Sequence, residues 1–105
     1  MDYPVYGKAV AHAVADGSCE KGIVICSTGI GISIAANKVP GIRCALCGDF
    51  FSARATRQHN DVNVLALGSL VTGSGLALEI VDIFLDTPLS EEERHRRRIA
   101  QLEEA

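Results

Sequence analysis

The sequence lacks the features of several large classes of protein. No apolar run approaches the ~18–20 residues that a helix needs to cross a bilayer, and no signal peptide is visible. Acidic residues outnumber Lys and Arg, and the net charge of −3 gives no electrostatic reason to expect nucleic acid as a partner. We therefore predict a cytoplasmic protein that binds neither membranes nor nucleic acid.

The cysteine pattern also lacks the spacing of a metal or redox motif. Cys44 and Cys47 are three residues apart at the end of a predicted strand, where their side chains point to opposite faces of the sheet. No second Cys or His pair supplies the usual zinc spacing, and a thioredoxin-like pair normally opens a helix. We predict free thiols and no bound metal.

The chain is long enough for one small domain with a single core. Predicted strands cover residues 22–26, 42–46 and 62–67. Predicted helices cover 3–15, a short stretch ending before Pro40, 49–59, 74–85 and a charged tail ending at 104. Strands that alternate with helices indicate an α/β fold, a Rossmann-like parallel sheet with flanking helices and a C-terminal helical tail.

Three local patterns refine these helices. Asp49 is the expected N-cap of the third helix, and Ser90 with Glu93 predicts a capping box for the last one. The stretch 74–85 is almost continuously apolar, so that helix is expected to be heavily buried.

The stretch from Gly22 to Asn37 is the most informative part of the chain. An apolar strand ends at Cys26 and runs into a Ser-Thr-Gly-x-Gly turn that opens a helix. Such a turn presents backbone N–H groups at a helix N-terminus, which favours a thiolate at the strand tip. Two interpretations are open from these residues: a nucleophile or base beside an anion site, or a small buried side chain beside a tight turn. The turn lacks the Walker lysine and a full Gly-x-Gly-x-x-Gly, which argues against a nucleotide-binding module.

The last helix carries a second candidate group. Arg94 and Arg98 are one helical turn apart, so two guanidinium groups share one face. Such a pair suits phosphate, although a basic cluster is also typical of a solvated surface. Ligands of parallel sheets bind beyond the carboxyl ends of the strands, where Cys26, Cys47 and Gly68 are expected, and the site is predicted there.

The segment from Cys26 to Arg43 resembles the signature of the ribose-5-phosphate isomerase B family, which includes the galactose-6-phosphate isomerase subunits. Three further stretches agree in order and spacing: Asp2-Tyr3-Pro4, residues 52–68, and Arg94-His95-x-x-Arg98. The similarity covers nearly the whole chain. It implies that residues 1–105 form a single sugar-phosphate isomerase domain.

The resemblance implies an aldose–ketose isomerase that interconverts ribose 5-phosphate and ribulose 5-phosphate through an enediolate, without a metal or organic cofactor. Cys26 would be the base, Thr28 and the backbone N–H groups from Ser27 to Gly31 would stabilise the oxyanion, and His59 would open the furanose ring. The binding residues implied are Tyr3, Ser27, Gly29, Gly31, Asn60, Arg94, His95 and Arg98. Family members are homodimers or homotetramers with shared sites, so His59 is expected to meet a partner's Cys26.

The chain also departs from the family pattern. The family begins with a strand, a helix and a second strand that carry an Asp-His pair, and this chain starts after them. Three strands are therefore expected, in a fragment, a mis-started reading frame or a reduced relative. Ser27 replaces a usual glycine, and Leu70 replaces a phosphate-binding arginine of many relatives. The alternative functions are a non-catalytic phosphosugar-binding or assembly subunit and an isomerase of a hexose 6-phosphate.

Overall fold

The computed structural model describes residues 2–104, which form eight elements in strict helix–strand alternation until the C-terminus. The helices are α1 (Tyr3–Ala15), α2 (Ile30–Asn37), α3 (Phe50–Gln58), α4 (Ser74–Asp86) and α5 (Glu93–Leu102). The strands are β1 (Gly22–Cys26), β2 (Cys44–Leu46) and β3 (Val64–Gly68). The α/β fold and the three strands are as the sequence predicts.

The three strands form one parallel sheet in the order β1-β3-β2. Gly22 pairs with Val64 at one end of the β1–β3 ladder and Cys26 pairs with Gly68 at the other. The central strand, β3, is buried along its whole length, whereas β1 and β2 form the edges. All three carboxyl ends therefore lie on one side of the sheet.

Helices cover both faces of the sheet and create two core clusters. The first joins α1 and α2 to the sheet around Ala11, Val24 and Ile32. The second joins α3 and α4 to the opposite face around Leu65 and Phe84. Cys44 packs against the first cluster and Cys47 belongs to the second, so the two thiols lie on opposite faces as predicted. All four cysteines are free.

The second and third strands are shorter or shifted relative to the prediction. The prediction of strand from Ile42 was wrong, because the Ile42 N–H bonds to Val39 in a turn and the Arg43 N–H bonds to the side chain of Asn63. The third strand begins two residues later than predicted, because the Val62 N–H bonds to the carbonyl of Thr56 at the end of α3.

Two expectations about helices also need correction. The fourth helix is not heavily buried: Ile80 and Phe84 are its only buried residues in the described chain, and Leu78 is 67% exposed. Ser90 does not form a capping box, because α5 begins after Glu92 and the Ser90 hydroxyl accepts a hydrogen bond from the Glu92 N–H. Asp49 does cap α3, accepting from the Ser52 N–H at 2.6 Å.

Candidate functional site

Cys26 is the last residue of β1, and its carbonyl and the turn that follows it are bonded to the loop after β3. The Ser69 N–H donates to the carbonyl of Cys26 at 2.9 Å, and the Leu70 N–H donates to the carbonyl of Ser27 at 3.0 Å. These two bonds fix the backbone on which the thiol stands.

Two glycines make this close approach possible. Gly29 has a φ of 80°, a left-handed conformation that glycine adopts without strain. A Cβ at Gly68 would lie 2.4 Å from the carbonyl oxygen of Thr28, a distance that no side chain tolerates. The Ser-Thr-Gly turn can therefore cross directly over the end of β3.

The thiol of Cys26 is surrounded by hydrogen-bond donors. The Gly29 N–H donates to Sγ at 3.2 Å. Burial raises the pKa of the Cys26 thiol, but hydrogen bonds from the backbone of Ile32, Gly29 and Thr28 outweigh that effect and lower the pKa below its ordinary value. Such donors stabilise the thiolate, so this thiol is suited to act as a base or nucleophile.

A cavity of about 440 Å³ opens beside Cys26. Its lining residues are Tyr3, Tyr6, Ile25, Cys26, Ser27 and Ile32. The ring of Tyr3 lies against Gly31, where a Cβ would come within 2.5 Å of it. The Thr28 hydroxyl belongs to the same turn, and its oxygen accepts from the Ile30 N–H at 3.2 Å. This cavity has the size and mixed lining of a small-molecule site.

His59 lies at the opposite end of the sheet from Cys26. Helix α3 leaves the carboxyl end of β2, runs back along the sheet and ends with His59 as its C-cap, shortly before β3 begins. Its nine residues cover about 13 Å along the helix axis. Within one chain, Cys26 and His59 are therefore separated by the length of the sheet.

His95 packs against His59 at this second end. The two rings have centroids 4.4 Å apart and are tilted by 32°. His95 is 6% exposed, and its Nδ1 has no hydrogen-bond partner among residues 2–104. Burial lowers the pKa of His95, and the neighbouring His59 lowers it further. This environment favours the neutral form of His95.

Arg94 and Arg98 place basic groups beside this histidine pair. Arg94 is exposed and forms an ion pair with Glu92 at 2.7 Å, and Arg98 follows one helical turn later on the exposed surface. A phosphate here would compete with Glu92 for Arg94.

The predicted site residues therefore form two groups: Tyr3, Cys26, Ser27, Thr28, Gly29 and Gly31 at the carboxyl end of the sheet, and His59, Asn60, Arg94, His95 and Arg98 at the amino end.

Sequence reasoning missed three residues that contribute to these groups. Tyr6 lines the cavity beside Cys26, and its position one helical turn after Tyr3 was a usable signal. Glu92 pairs with Arg94, and Arg43 contacts the turn that follows His59. Nothing local in the sequence indicates the role of Arg43, because its partners lie 17 or more positions away.

The ribose/galactose isomerase family model matches residues 1–102 of the chain. The chain belongs to this family. It is 55% identical over 102 residues to the putative sugar phosphate isomerase YwlF of Bacillus subtilis, covering 97% of this chain and 68% of that protein. It is 54% identical over 98 residues to ribose-5-phosphate isomerase B of Escherichia coli, covering 93% of this chain and 65% of that protein.

The fold comparison agrees with this assignment to the ribose/galactose isomerase family. The structure of ribose-5-phosphate isomerase B from Clostridium thermocellum superposes with a TM-score of 0.95 at 53% identity. The match covers 98% of this chain and 69% of that protein. The chain thus spans about two thirds of the length of these relatives.

Two other classes of feature are absent from the described residues. No group of three or more His, Cys, Asp or Glu side chains within residues 2–104 could hold a metal ion. No helix in the same range is long and apolar enough to cross a membrane.

Proposed function

We propose that this chain is an aldose–ketose isomerase that interconverts ribose 5-phosphate and ribulose 5-phosphate, with Cys26 as the base. The observation that carries the proposal is the Cys26 thiol, which accepts a hydrogen bond from the Gly29 N–H and has a lowered pKa beside a cavity of about 440 Å³. A lowered pKa increases the fraction of this thiol that is present as thiolate, the form that can accept a proton as a general base.

The proposed reaction moves one proton between two carbons of the open-chain sugar. The Cys26 thiolate takes the proton from C2, the electrons of that C–H bond form the C1–C2 double bond, and the carbonyl oxygen at C1 becomes the enediolate oxygen. The Thr28 hydroxyl and the backbone N–H groups of Ser27 and Gly31 stabilise that charge, while the Gly29 N–H stays on the sulfur of Cys26. The C2 hydroxyl then passes its proton to the C1 oxygen, and the Cys26 thiol returns the C2 proton to C1 as the C2 carbonyl forms, which completes the isomerisation. The proposed chemistry needs no metal or organic cofactor, since only protons are transferred.

The remaining groups supply ring opening and binding in this proposal. His59 transfers protons to open the furanose ring, which suits an imidazole at neutral pH. Asn60 binds sugar hydroxyls, Arg94 and Arg98 bind the phosphate with help from His95, and Tyr3 contacts the sugar beside Cys26. Guanidinium groups match phosphate oxygens in geometry and charge.

We further propose that the working site joins two chains. Cys26 and His59 lie at opposite ends of the sheet, and no side chain spans that distance. A second copy of this chain that brings its His59 end to the Cys26 cavity would complete the site. A symmetric pair of chains would form two such sites, in a homodimer or a homotetramer built from it.

The test is the formation of ribulose 5-phosphate from ribose 5-phosphate by the wild-type chain and by Cys26→Ala. We expect turnover in the wild type and a loss of about 10²–10⁴-fold in Cys26→Ala, the range for removal of a general base. Cys19→Ala is the matched control, because Cys19 is exposed and lies away from the cavity. Absence of turnover by a folded, oligomeric wild-type chain would contradict the proposal.

A second candidate function is a non-catalytic phosphosugar-binding or assembly subunit. Leu70 favours it, because this side chain is 82% exposed in the loop bonded to Ser27, where many relatives are expected to carry a phosphate-binding arginine. Calorimetric binding of ribose 5-phosphate without turnover would support this candidate. Turnover of galactose 6-phosphate in preference to ribose 5-phosphate would instead indicate a hexose-phosphate isomerase.

A further inference from the structure

Helix α5, which carries Arg94 and Arg98, is attached to the domain mainly by polar contacts. Of its ten residues, His95 is the only one that is buried. An element with so little apolar burial gains little from the hydrophobic effect. Its position must therefore depend on the hydrogen bonds and ion pairs at its two ends.

Arg43 supplies the contact at the C-terminal end of α5. Its Nη1 donates to a carboxylate oxygen of Glu103, the residue that caps α5, at 2.5 Å. The Arg43 side chain is 19% exposed, so this ion pair is partly shielded from solvent. Partly buried pairs are screened less by salt than exposed pairs are.

The same guanidinium group also holds the turn that follows His59. Its Nε donates to the carbonyl of Asn60 at 3.0 Å, and its Nη2 donates to the carbonyl of Asp61 at 2.8 Å. Asp61 has a φ of 46°, an unusual conformation for a residue with a side chain. Arg43 thus fixes two carbonyl groups of a turn whose backbone is strained.

Neighbouring contacts reinforce this arrangement from the other end of α5. Arg57 pairs with the carboxylate of Asp61 at 2.6 Å and donates to the carbonyl of Thr87 at 3.1 Å, in the segment that leads into α5. The Ser90 N–H donates to the carbonyl of Gln58 at 3.0 Å. The turn after α3 is consequently tied to both ends of α5.

We propose that Arg43 is a positioning residue that aligns the turn bearing His59 and Asn60 with the helix bearing Arg94 and Arg98. This inference rests on the proposed function, in which these groups bind and open one sugar phosphate. Arg43 itself touches neither the Cys26 cavity nor the two arginines of α5. Arg43 acts by fixing the positions of the turn after α3 and of α5 at the amino end of the sheet.

Only an arginine can make this set of contacts. The guanidinium fork donates from three nitrogen atoms in one plane to three separate acceptors. A lysine in the same place has one nitrogen atom, which can reach one or two of them. Arg43→Lys should therefore retain the charge and lose much of the alignment.

The experiment compares Arg43→Gln and Arg43→Lys with Arg54→Gln, an exposed arginine of α3 with no ion-pair partner within residues 2–104. We expect kcat/KM for ribose 5-phosphate to fall about 10–100-fold in Arg43→Gln, chiefly through KM, since misplaced binding groups cost this much. Arg43→Lys should fall between Arg43→Gln and wild type, and Arg54→Gln should match the wild type.

Hydrogen exchange provides a readout that does not depend on activity. Arg43→Gln should lose protection in residues 59–63 and 93–103 while β1 and β3 keep theirs.

Three results would overturn the proposal: wild-type kcat/KM in Arg43→Gln, unchanged exchange in both segments, or an equal loss of protection throughout the chain. If the wild-type chain shows no turnover, the proposed function fails. The exchange data then still decide whether Arg43 couples the turn to α5.

Discussion

The two ends of the sheet are built by different means. The Cys26 end is made of backbone groups: a strand tip, a glycine turn and the first turn of α2, held by main-chain bonds to Ser69 and Leu70. The His59 end is made of side chains from α3 and α5, held by Arg43, Arg57 and a histidine pair. Backbone donors are preorganised by local folding, whereas side-chain groups depend on contacts between distant segments. The Cys26 end should therefore tolerate surface substitutions that disturb the His59 end.

The largest expected effect concerns the reactivity of the four thiols. The pKa of Cys26 is lowered by its backbone donors, whereas burial raises the pKa of Cys44 to about 12 and that of Cys47 to about 11. A thiol with a pKa two units higher is about 100-fold less ionised at neutral pH, and the thiolate is the reactive form. We expect iodoacetamide at pH 7.5 to modify Cys26 at least about 100-fold faster than Cys44 or Cys47.

Peptide mapping after timed alkylation measures this difference, with Cys19→Ala used to remove the exposed thiol from the analysis. Comparable rates at Cys26 and Cys47 in the folded chain would show that the backbone donors do not activate the Cys26 thiol.

The next prediction concerns whether the Cys26 end of one chain and the His59 end of another chain form one active site. Cys26→Ala and His59→Ala should each be inactive alone, because each removes one end of every site. Mixing them with subunit exchange should restore about one quarter of the wild-type activity, since half of the dimers are mixed and each mixed dimer has one intact site. Turnover assays before and after exchange measure the recovery. No recovery despite proven exchange would place both groups in one chain's site.

A smaller effect concerns Gly68, against which the backbone of the turn after Cys26 packs. Gly68→Ala would place a Cβ 2.4 Å from the Thr28 carbonyl, so the loop must move. We expect a loss of about 1–3 kcal/mol in the free energy of unfolding, the usual range for overpacking. Urea denaturation measures the change. Gly73→Ala is the matched control, because a Cβ there meets nothing within 4 Å and its φ of −64° suits any residue. Equal stability of the two variants would show that the two loops separate without cost.

The smallest expected effect is a pH dependence of stability at the His59 end of the sheet. Burial lowers the pKa of His95 in the folded chain below its value of 6.5 in the unfolded chain. The unfolded chain therefore binds more protons between these two values, so stability is fully present above about pH 6.5 and falls as the pH decreases through the folded pKa. Hydrogen exchange of α5 at pH 5.0 and 7.5 should reveal this loosening, and His95→Phe should abolish it. A pH-independent exchange rate, after correction for intrinsic chemistry, would contradict it.

Much of the fold could be predicted from the sequence. The bounds of α1 and β1 and the Asp49 cap matched the prediction, because each depends on residues within a few positions of one another. The start of β2 and the exposure of α4 could not be predicted. They depend on the side chain of Asn63 and on which helix face meets the sheet. Apolar composition alone does not specify that face.

The sequence by itself determined the local chemistry of this protein. The Gly22–Ile32 stretch contains the strand, the turn and the donors that lower the pKa of Cys26, all within eleven residues. The family membership likewise follows from the sequence, through the match over residues 1–102.

Only the tertiary structure decided that the candidate residues form two separate groups. Parallel strands require each connecting helix to return the chain to the opposite end of the sheet. Cys26 therefore lies at one end and His59 at the other. The tertiary structure also assigned Arg43 its three acceptors, because they are brought together from Asn60, Asp61 and Glu103 only when the chain is folded.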